Sequence, residues 1–314
     1  MKNLLLISII GTGLIFTGCK KDEVPPPAPT SNLSNVFNDN LDDAKQSFTI
    51  NASTYNQFTG ANGVIVAIPA NSFEDASGNI ISGNVSIQLI EILDQSSMIL
   101  MGMPTTSNGD ILVSGGQMNL TATQNGNIVY LADNAYVSVM VPTTQFDYNM
   151  QLFDGVAQTD GSVDWILSTD DSTGFSDSVS FVPDSTGGGF FGGYYGFNWT
   201  DSTLGWINLD YFYYSGASLT NMTVDLAADY TASNTAVFLH FSNINSVASV
   251  YNNGTDFVAY DVPENEAVTI VCISEISGQY YSAFVPVTIT TNLVVPVTMN
   301  ATTLTDIETA INNL

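Results

Sequence analysis

An all-β fold is predicted: two antiparallel β-sandwich domains behind an N-terminal export segment and a Pro-rich tether, with one short C-terminal helix. Three observations predict it. Short apolar runs of period two recur along the chain, as expected where a sheet buries one face. Clusters of Asn, Gly, Asp, Ser and Pro separate them at the spacing of antiparallel turns, not of crossover helices. Helical spacing is confined to Thr303–Leu314, where Leu304, Ile307, Ile311 and Leu314 share a face. A chain of 314 residues has the length of about two domains.

The first 18 residues are an export signal. Met1-Lys2-Asn3 is a positive n-region, and the apolar run Leu4–Phe16 has h-region length, short of the roughly 20 residues a membrane span requires. Phe16-Thr17-Gly18-Cys19 resembles a bacterial lipobox, with Phe16 where Leu is usual. The resemblance implies lipidation of Cys19, which consumes its thiol and makes the membrane a partner through the lipid. Lys20-Lys21-Asp22-Glu23 is similar to the export signal that follows the lipid cysteine in Bacteroidota-type surface lipoproteins. It implies an outer-membrane protein displayed at the cell surface. Residues 19–46 are then a disordered tether, Pro/Ser-rich over Val24–Asn35 and extended rather than packed.

In the body, Met118, Leu120 and Ala122 give the clearest alternation. Val64–Ile68, Val85–Leu89, Ile128–Leu131 and Tyr136–Val141 are further strands, punctuated by Asn62-Gly63, Ser77-Gly78-Asn79, Asn108-Gly109-Asp110 and Gln124–Asn127. The run Gly63–Pro69, with Asn71-Ser72-Phe73, Gly83-Asn84-Val85, Gly115-Gly116 and Val139–Pro142, resembles a ZU-type module. That is the β-sandwich of zonula occludens proteins and ankyrins, with relatives in bacterial surface lipoproteins. The resemblance covers residues 47–143 and implies a sandwich that makes protein contacts or serves structure, with no catalytic residues. Residues 144–198 read as connecting strands (Gln151–Phe153, Val163–Leu167, Val179–Val182) and a Gly/aromatic loop. Residues 199–314 read as the second sandwich, opening on Leu204–Asp210, which resembles a segment found beside ZU-like modules. In its terminal helix Thr305 is the expected N-cap, with Glu308 three residues on.

Charge narrows the function. The chain has 30 Asp and Glu against four lysines (Lys2, Lys20, Lys21, Lys45) and no Arg. Five acids precede Gln46 (Asp22, Glu23, Asp39, Asp42, Asp43), leaving 25 acids and no Lys or Arg from there on. Nucleic acid is excluded as a partner, since phosphate binding needs a basic patch, and a P-loop lacks its lysine.

Nucleophilic catalysis has little material. His240 is placed as a half-exposed strand residue, and Cys272 as a small hydrophobe in an apolar strand. Glu91 and Asp94 bracket a strand end, but nothing singles them out as a hydrolytic pair. The chain is therefore read as non-catalytic, with an acid-pair hydrolase as the remote alternative. No cofactor is expected beyond a structural Ca²⁺, for which Asp160, Asp164, Asp170, Asp171 and Asp177 are the densest oxygen donors. For glycan contact the candidates are Tyr194, Tyr195, Trp199 and Trp206, in the stretch where Tyr211–Tyr214 also falls; core packing is the competing use of these rings. Asp-Ser steps at Ser172, Ser178, Ser185 and Ser202 resemble the O-glycosylation motif of Bacteroidota-type exported proteins. The expected role is binding or envelope structure at the cell surface, towards a glycan or an envelope protein.

Overall fold

The computed structural model describes residues 33–158, 162–168, 179–183, 192–214 and 216–314. It begins with helix α1 (Leu33–Asp43), so the second half of the expected tether is ordered. Leu33, Val36, Phe37 and Leu41 recur at helical spacing among Asn, Asp and Ser, and the polar content hides that stripe in the sequence. Leu33 and Val36 are buried, Phe37 packs edge-on to Phe238, and Asn40 Nδ2 donates to Leu100 O (3.0 Å).

The strands that follow are β1 (Gln46–Asn51), β2 (Asn56–Thr59), β3 (Ile65–Ile68), β4 (Phe73–Glu74) and β5 (Asn84–Ile92). Helix α2 (Gln95–Leu100) comes next, then β6 (Thr106–Ser107), β7 (Asp110–Gln124), β8 (Asn127–Ile128), β9 (Tyr130–Leu131) and β10 (Val137–Thr143). β11 (Gln151–Ala157), β12 (Val163–Leu167), β13 (Ser180–Pro183), β14 (Gly193–Trp199) and β15 (Gly205–Phe212) complete this half. One sheet runs β1-β5-β7-β15-β11-β12, with β6 and β8 paired on β7; the facing sheet runs β13-β14-β10-β3-β2. Val85, Ile87, Leu89, Met118, Leu120, Ile207 and Leu209 of the first sheet meet Val66, Ile68, Val137, Val139, Val141, Phe197 and Trp199 of the second in one core.

This pairing moves the domain boundary. β11 to β14, expected as a connection over 144–198, add strands to the same two sheets as residues 46–143. β15, expected to open the second domain, lies between β7 and β11, with Ile207 opposite Met118 and Asp154. The first sandwich thus spans 46–212. A local reading misses this because β15 pairs with residues about 90 positions earlier.

The second sandwich holds β16 (Leu219–Asp225), β17 (Thr235–Phe241), β18 (Val247–Ser249), β19 (Tyr251–Asn252) and β20 (Phe257–Pro263). β21 (Ala267–Ile276), β22 (Gln279–Thr288), β23 (Val294–Pro296), β24 (Asn300–Thr302) and helix α3 (Leu304–Ile311) follow. Sheet β18-β17-β21-β22-β24 faces sheet β19-β20-β16-β23, and β16–β23 is the one parallel pair among these strands. Met222, Val224, Leu239, Phe241, Ile270 and Cys272 fill the space between. In α3 the N-cap is Thr303, not Thr305: Asp306 N–H donates to Thr303 Oγ1 (3.1 Å) and Thr303 Oγ1–H to Asp306 Oδ2 (2.7 Å). Ile307 and Ile311 are buried, whereas Leu314 is exposed beyond the last turn.

A third apolar layer joins the sandwiches. The outer face of the β7 sheet contributes Ile90, Ile92, Leu112, Phe153 and Trp165, and the outer face of the β17 sheet Phe238, Val271 and Ile273. Met98 and Ile99 of α2, Leu33 of α1, and Ile307 and Ile311 of α3 lie in the same cluster. Trp165 is fully buried and donates Nε1–H to Pro104 O (2.9 Å). The loop before β18 locks the seam: Asn245 Nδ2 donates to Ser114 O (2.8 Å), and Gln95 Nε2 to Phe241 O (2.9 Å) and Ser246 O (2.7 Å). Among the described residues no helix is long and apolar enough to cross a membrane.

Candidate functional site

β15 leaves the first sandwich as Asp210-Tyr211-Phe212-Tyr213-Tyr214, beside the loop that precedes β11. Between them lies an open groove of about 630 Å³, within the ~300–1,000 Å³ typical of ligand sites. Asp147, Tyr148, Asn149 and Gln151 line one wall, and residues 211–214 the other. Its outer rings, Tyr148 and Tyr214, are 90% and 82% exposed.

Buried and half-buried rings hold both walls in place. Phe146 packs edge-on to Tyr148 (4.8 Å between centroids) and also contacts Tyr195 (4.8 Å) and Phe181 (4.9 Å). Opposite, Phe153 backs Phe212 (5.4 Å), which stacks with Tyr214 (6.1 Å, 30° between planes). The Tyr195 hydroxyl accepts the Asp147 N–H (2.8 Å) and donates to Gln145 O (3.1 Å), anchoring the loop to β14. Asp147 Oδ1 accepts both the backbone and side-chain N–H of Asn149 (2.8 Å each), an Asx turn that presents Asn149. Tyr213 packs on the second core and donates its hydroxyl to Glu266 Oε1 (2.7 Å), tying the groove to both sandwiches. Burial first, then the Glu266 carboxylate, pushes the Tyr213 phenol up to about 12. Burial, with Asp147 and Tyr195 nearby, likewise raises Tyr211, so these phenols stay neutral at physiological pH.

The structure redistributes the aromatic candidates. Tyr195 and Trp199 are 2% exposed and belong to the first core, so neither presents a ring for glycan contact. Trp206 is half-buried at the junction, edge-on to Trp165 (6.3 Å), and Tyr194 is half-buried within β14. The supposed Gly/aromatic loop is in part strand β14, whose alternation of Tyr195, Phe197 and Trp199 is the signal that could have revealed it. Tyr148 was not singled out in the sequence, and Tyr214 was named only within the run Tyr211–Tyr214; the local signals were that run beside Asp210 and the Asp-Tyr-Asn turn.

The acids singled out have structural work. Glu91, buried, accepts from Val64 N–H (2.8 Å), Asn62 N–H (3.0 Å) and Gln46 Nε2–H (2.6 Å), clasping the β2–β3 turn. The carboxylate also fills the place a Cβ would take on Gly60. Asp94 caps α2, accepting from Ser97 N–H (2.9 Å). Asp164 lies on β12 and accepts from Asn108 N–H (3.1 Å). Among the described residues no three His, Cys, Asp or Glu side chains are grouped to hold a metal ion. Asp160, Asp170, Asp171 and Asp177 lie outside the described residues, as do Cys19, Lys20, Lys21, Asp22, Glu23, Ser172, Ser178 and Ser185. Ser202 is exposed in the β14–β15 turn.

His240 is buried, not half-exposed, because the second sheet face of β17 is covered by the junction layer. Its Nδ1 has no hydrogen-bond partner, and desolvation lowers its pKa, favouring the neutral ring. Cys272 pairs in register with Val237 in the second core, so it and His240 lie on opposite faces of one sheet and form no dyad. Burial raises the Cys272 thiol to about 12, which keeps it inert.

Missed altogether was a buried polar chain on the junction face of the β7 sheet. Asn208 Nδ2 donates to Asp210 Oδ2 (2.6 Å), and Ser114 Oγ–H to Asn208 Oδ1 (3.0 Å). Asp210 is fully buried, and loss of solvation lifts its carboxyl well above the usual range, outweighing the Ser114 and Asn208 hydrogen bonds. The β7–β15 ladder shifts register here, and Gly116 adopts φ 136° where a Cβ would lie 2.6 Å from Leu93 Cδ2. Comparison of the chain with protein-family models, curated proteins and solved structures finds no match.

Proposed function

We propose that this chain is a lipid-anchored, surface-displayed binding protein of a Gram-negative outer membrane, and that it captures its ligand in the tyrosine groove without chemical turnover. The observation that supports this reading is the exposure of Tyr148 and Tyr214 on walls that packed rings and hydrogen bonds hold in place. Exposed rings fixed by packing lose little conformational freedom on binding, which is how tyrosine serves at recognition surfaces. The groove offers phenols, amides and one carboxylate, which suit holding a ligand by stacking and hydrogen bonds. The anchor reading rests on Phe16–Cys19 and the display reading on Lys20–Glu23.

Palmitate labelling and proteinase shaving of intact native cells test it. Wild type is expected to take up label and to be lost on shaving, while a buried periplasmic marker survives. Cys19→Ser is expected to lose the label. Full protection of the wild-type protein until lysis would refute display, and unchanged labelling of Cys19→Ser would refute the anchor.

A further inference from the structure

Extending the binding reading above, on which it rests, we infer that the groove between the 146–151 loop and residues 211–214 is a site for a neutral oligosaccharide. Three features select that chemistry.

The first is charge. The lining contains no Lys, Arg or His, and Asp147 sits in one wall. From Gln46 onward the chain has 25 acids and no Lys or Arg to offset them. A phosphorylated, sulfated or uronate ligand would enter against that field with no counter-charge to meet it.

The second is the pairing of flat apolar faces with hydroxyl partners. A sugar ring presents a C–H face that covers a phenol ring and an equatorial rim of hydroxyls that need donors and acceptors. Tyr148 and Tyr214 supply the faces. Both bonds to Asn149 use Asp147 Oδ1, which leaves Oδ2 as an acceptor for ligand hydroxyls. Gln151 is exposed at the same wall and provides an amide that both donates and accepts.

The third is shape. An aromatic cage for a quaternary ammonium closes around a point charge. Here the outer rings stand 90% and 82% exposed on opposite walls of an open cleft, which leaves room for a flat ligand between them and does not enclose a point charge. Each ring is backed by its own stack, Phe146 behind Tyr148 and Phe212 behind Tyr214, so the spacing between them is set before any ligand arrives.

The test uses the full lipidated chain in detergent micelles. Calorimetric titration is run with neutral gluco-, manno-, xylo- and galacto-oligosaccharides of about four to eight units, with sulfated and uronate counterparts, and with tetramethylammonium. At least one neutral series is expected to bind. Tyr148→Ala and Tyr214→Ala are each expected to weaken it roughly tenfold or more, as for an exposed aromatic anchor, at unchanged thermal stability. Charged counterparts are expected to bind more weakly than the neutral parent. Neutral binding that both substitutions leave intact would place the sugar elsewhere and overturn the proposal. Response to tetramethylammonium alone would overturn the sugar assignment and leave the binding reading standing. Silence to the whole panel would overturn the sugar assignment, while the labelling and shaving results decide the anchor and display independently.

Discussion

β14 and the end of β15 are separated by one turn and are equally rich in aromatic residues, yet they put those rings to opposite uses. In Gly193–Trp199, Tyr195, Phe197 and Trp199 point between the sheets and are almost fully buried. In Tyr211–Tyr214 the chain is leaving the sheet; its rings line an open groove, and the last is 82% exposed. Composition does not separate the two segments. Position does: β14 is paired on both edges, to β10 and β13, whereas β15 ends its ladder at Phe212 opposite Leu112.

The contrast breaks if the two groups of rings prove energetically alike. Trp199→Ala empties a buried volume in the first core and is expected to cost about 3–5 kcal/mol in urea unfolding, the range for a large core aromatic. Tyr148→Ala and Tyr214→Ala remove exposed rings and are expected to fall within about 0.5 kcal/mol of wild type. Equal losses at Trp199 and Tyr214 would mean the groove rings are core by another name.

β15 itself sharpens the comparison, because it turns Ile207 and Leu209 to the core and Asn208 and Asp210 to the junction. Asp210 is held there by the Ser114 and Asn208 hydrogen bonds, and its carboxyl is raised by burial. The sign follows directly. A carboxyl with its folded pKa above the unfolded value binds protons more tightly in the folded state, so its contribution is favourable at low pH and declines as pH rises from about 3.8 through the raised value. Asp210→Asn removes the titration while keeping an acceptor for Asn208. The difference in unfolding free energy, mutant minus wild type, is expected to grow with pH over that window, because all other groups cancel. A difference that stays flat from pH 4 to 9 would show that Asp210 is solvated.

Much of the fold was legible locally. Alternation in Met118-Asn119-Leu120-Thr121-Ala122 and the Asn-Gly turns indicated strands that the structure contains, and the spacing of Ile307 and Ile311 indicated the last helix. What escaped the sequence was pairing at a distance. Nothing local shows that Ile207 sits opposite Met118, so the first sandwich was cut short and β15 given to its neighbour. Helix α1 escaped because its buried stripe is docked on Phe238, far along the chain, and its other residues resemble a tether. His240 was judged half-exposed because a two-layer sandwich leaves such a face wet, whereas here a third layer covers it. The groove was the least legible part, since its two walls come from residues about 60 positions apart and only their convergence makes Tyr148 and Tyr214 a pair.

Tyr195 belongs to both sides of the comparison, and its single oxygen allows them to be separated. Its ring lies in the first core, while its hydroxyl accepts from Asp147 N–H and donates to Gln145 O, the two bonds that hold the groove loop. Tyr195→Phe keeps the ring and deletes the oxygen. The expected loss in unfolding free energy is about 2 kcal/mol, typical of two net hydrogen bonds and below that for Trp199→Ala. Its effect on the groove should exceed what so small a loss suggests, because Asp147, Tyr148 and Asn149 all ride on the loop that the hydroxyl fixes. The check is amide exchange at residues 145–149, expected to speed up while exchange in β10 and β14 stays protected. Were protection in the loop unchanged, the Phe146 ring stack alone would be sufficient to place Tyr148, and the rigidity of that wall would derive from packing and not from the Tyr195 oxygen.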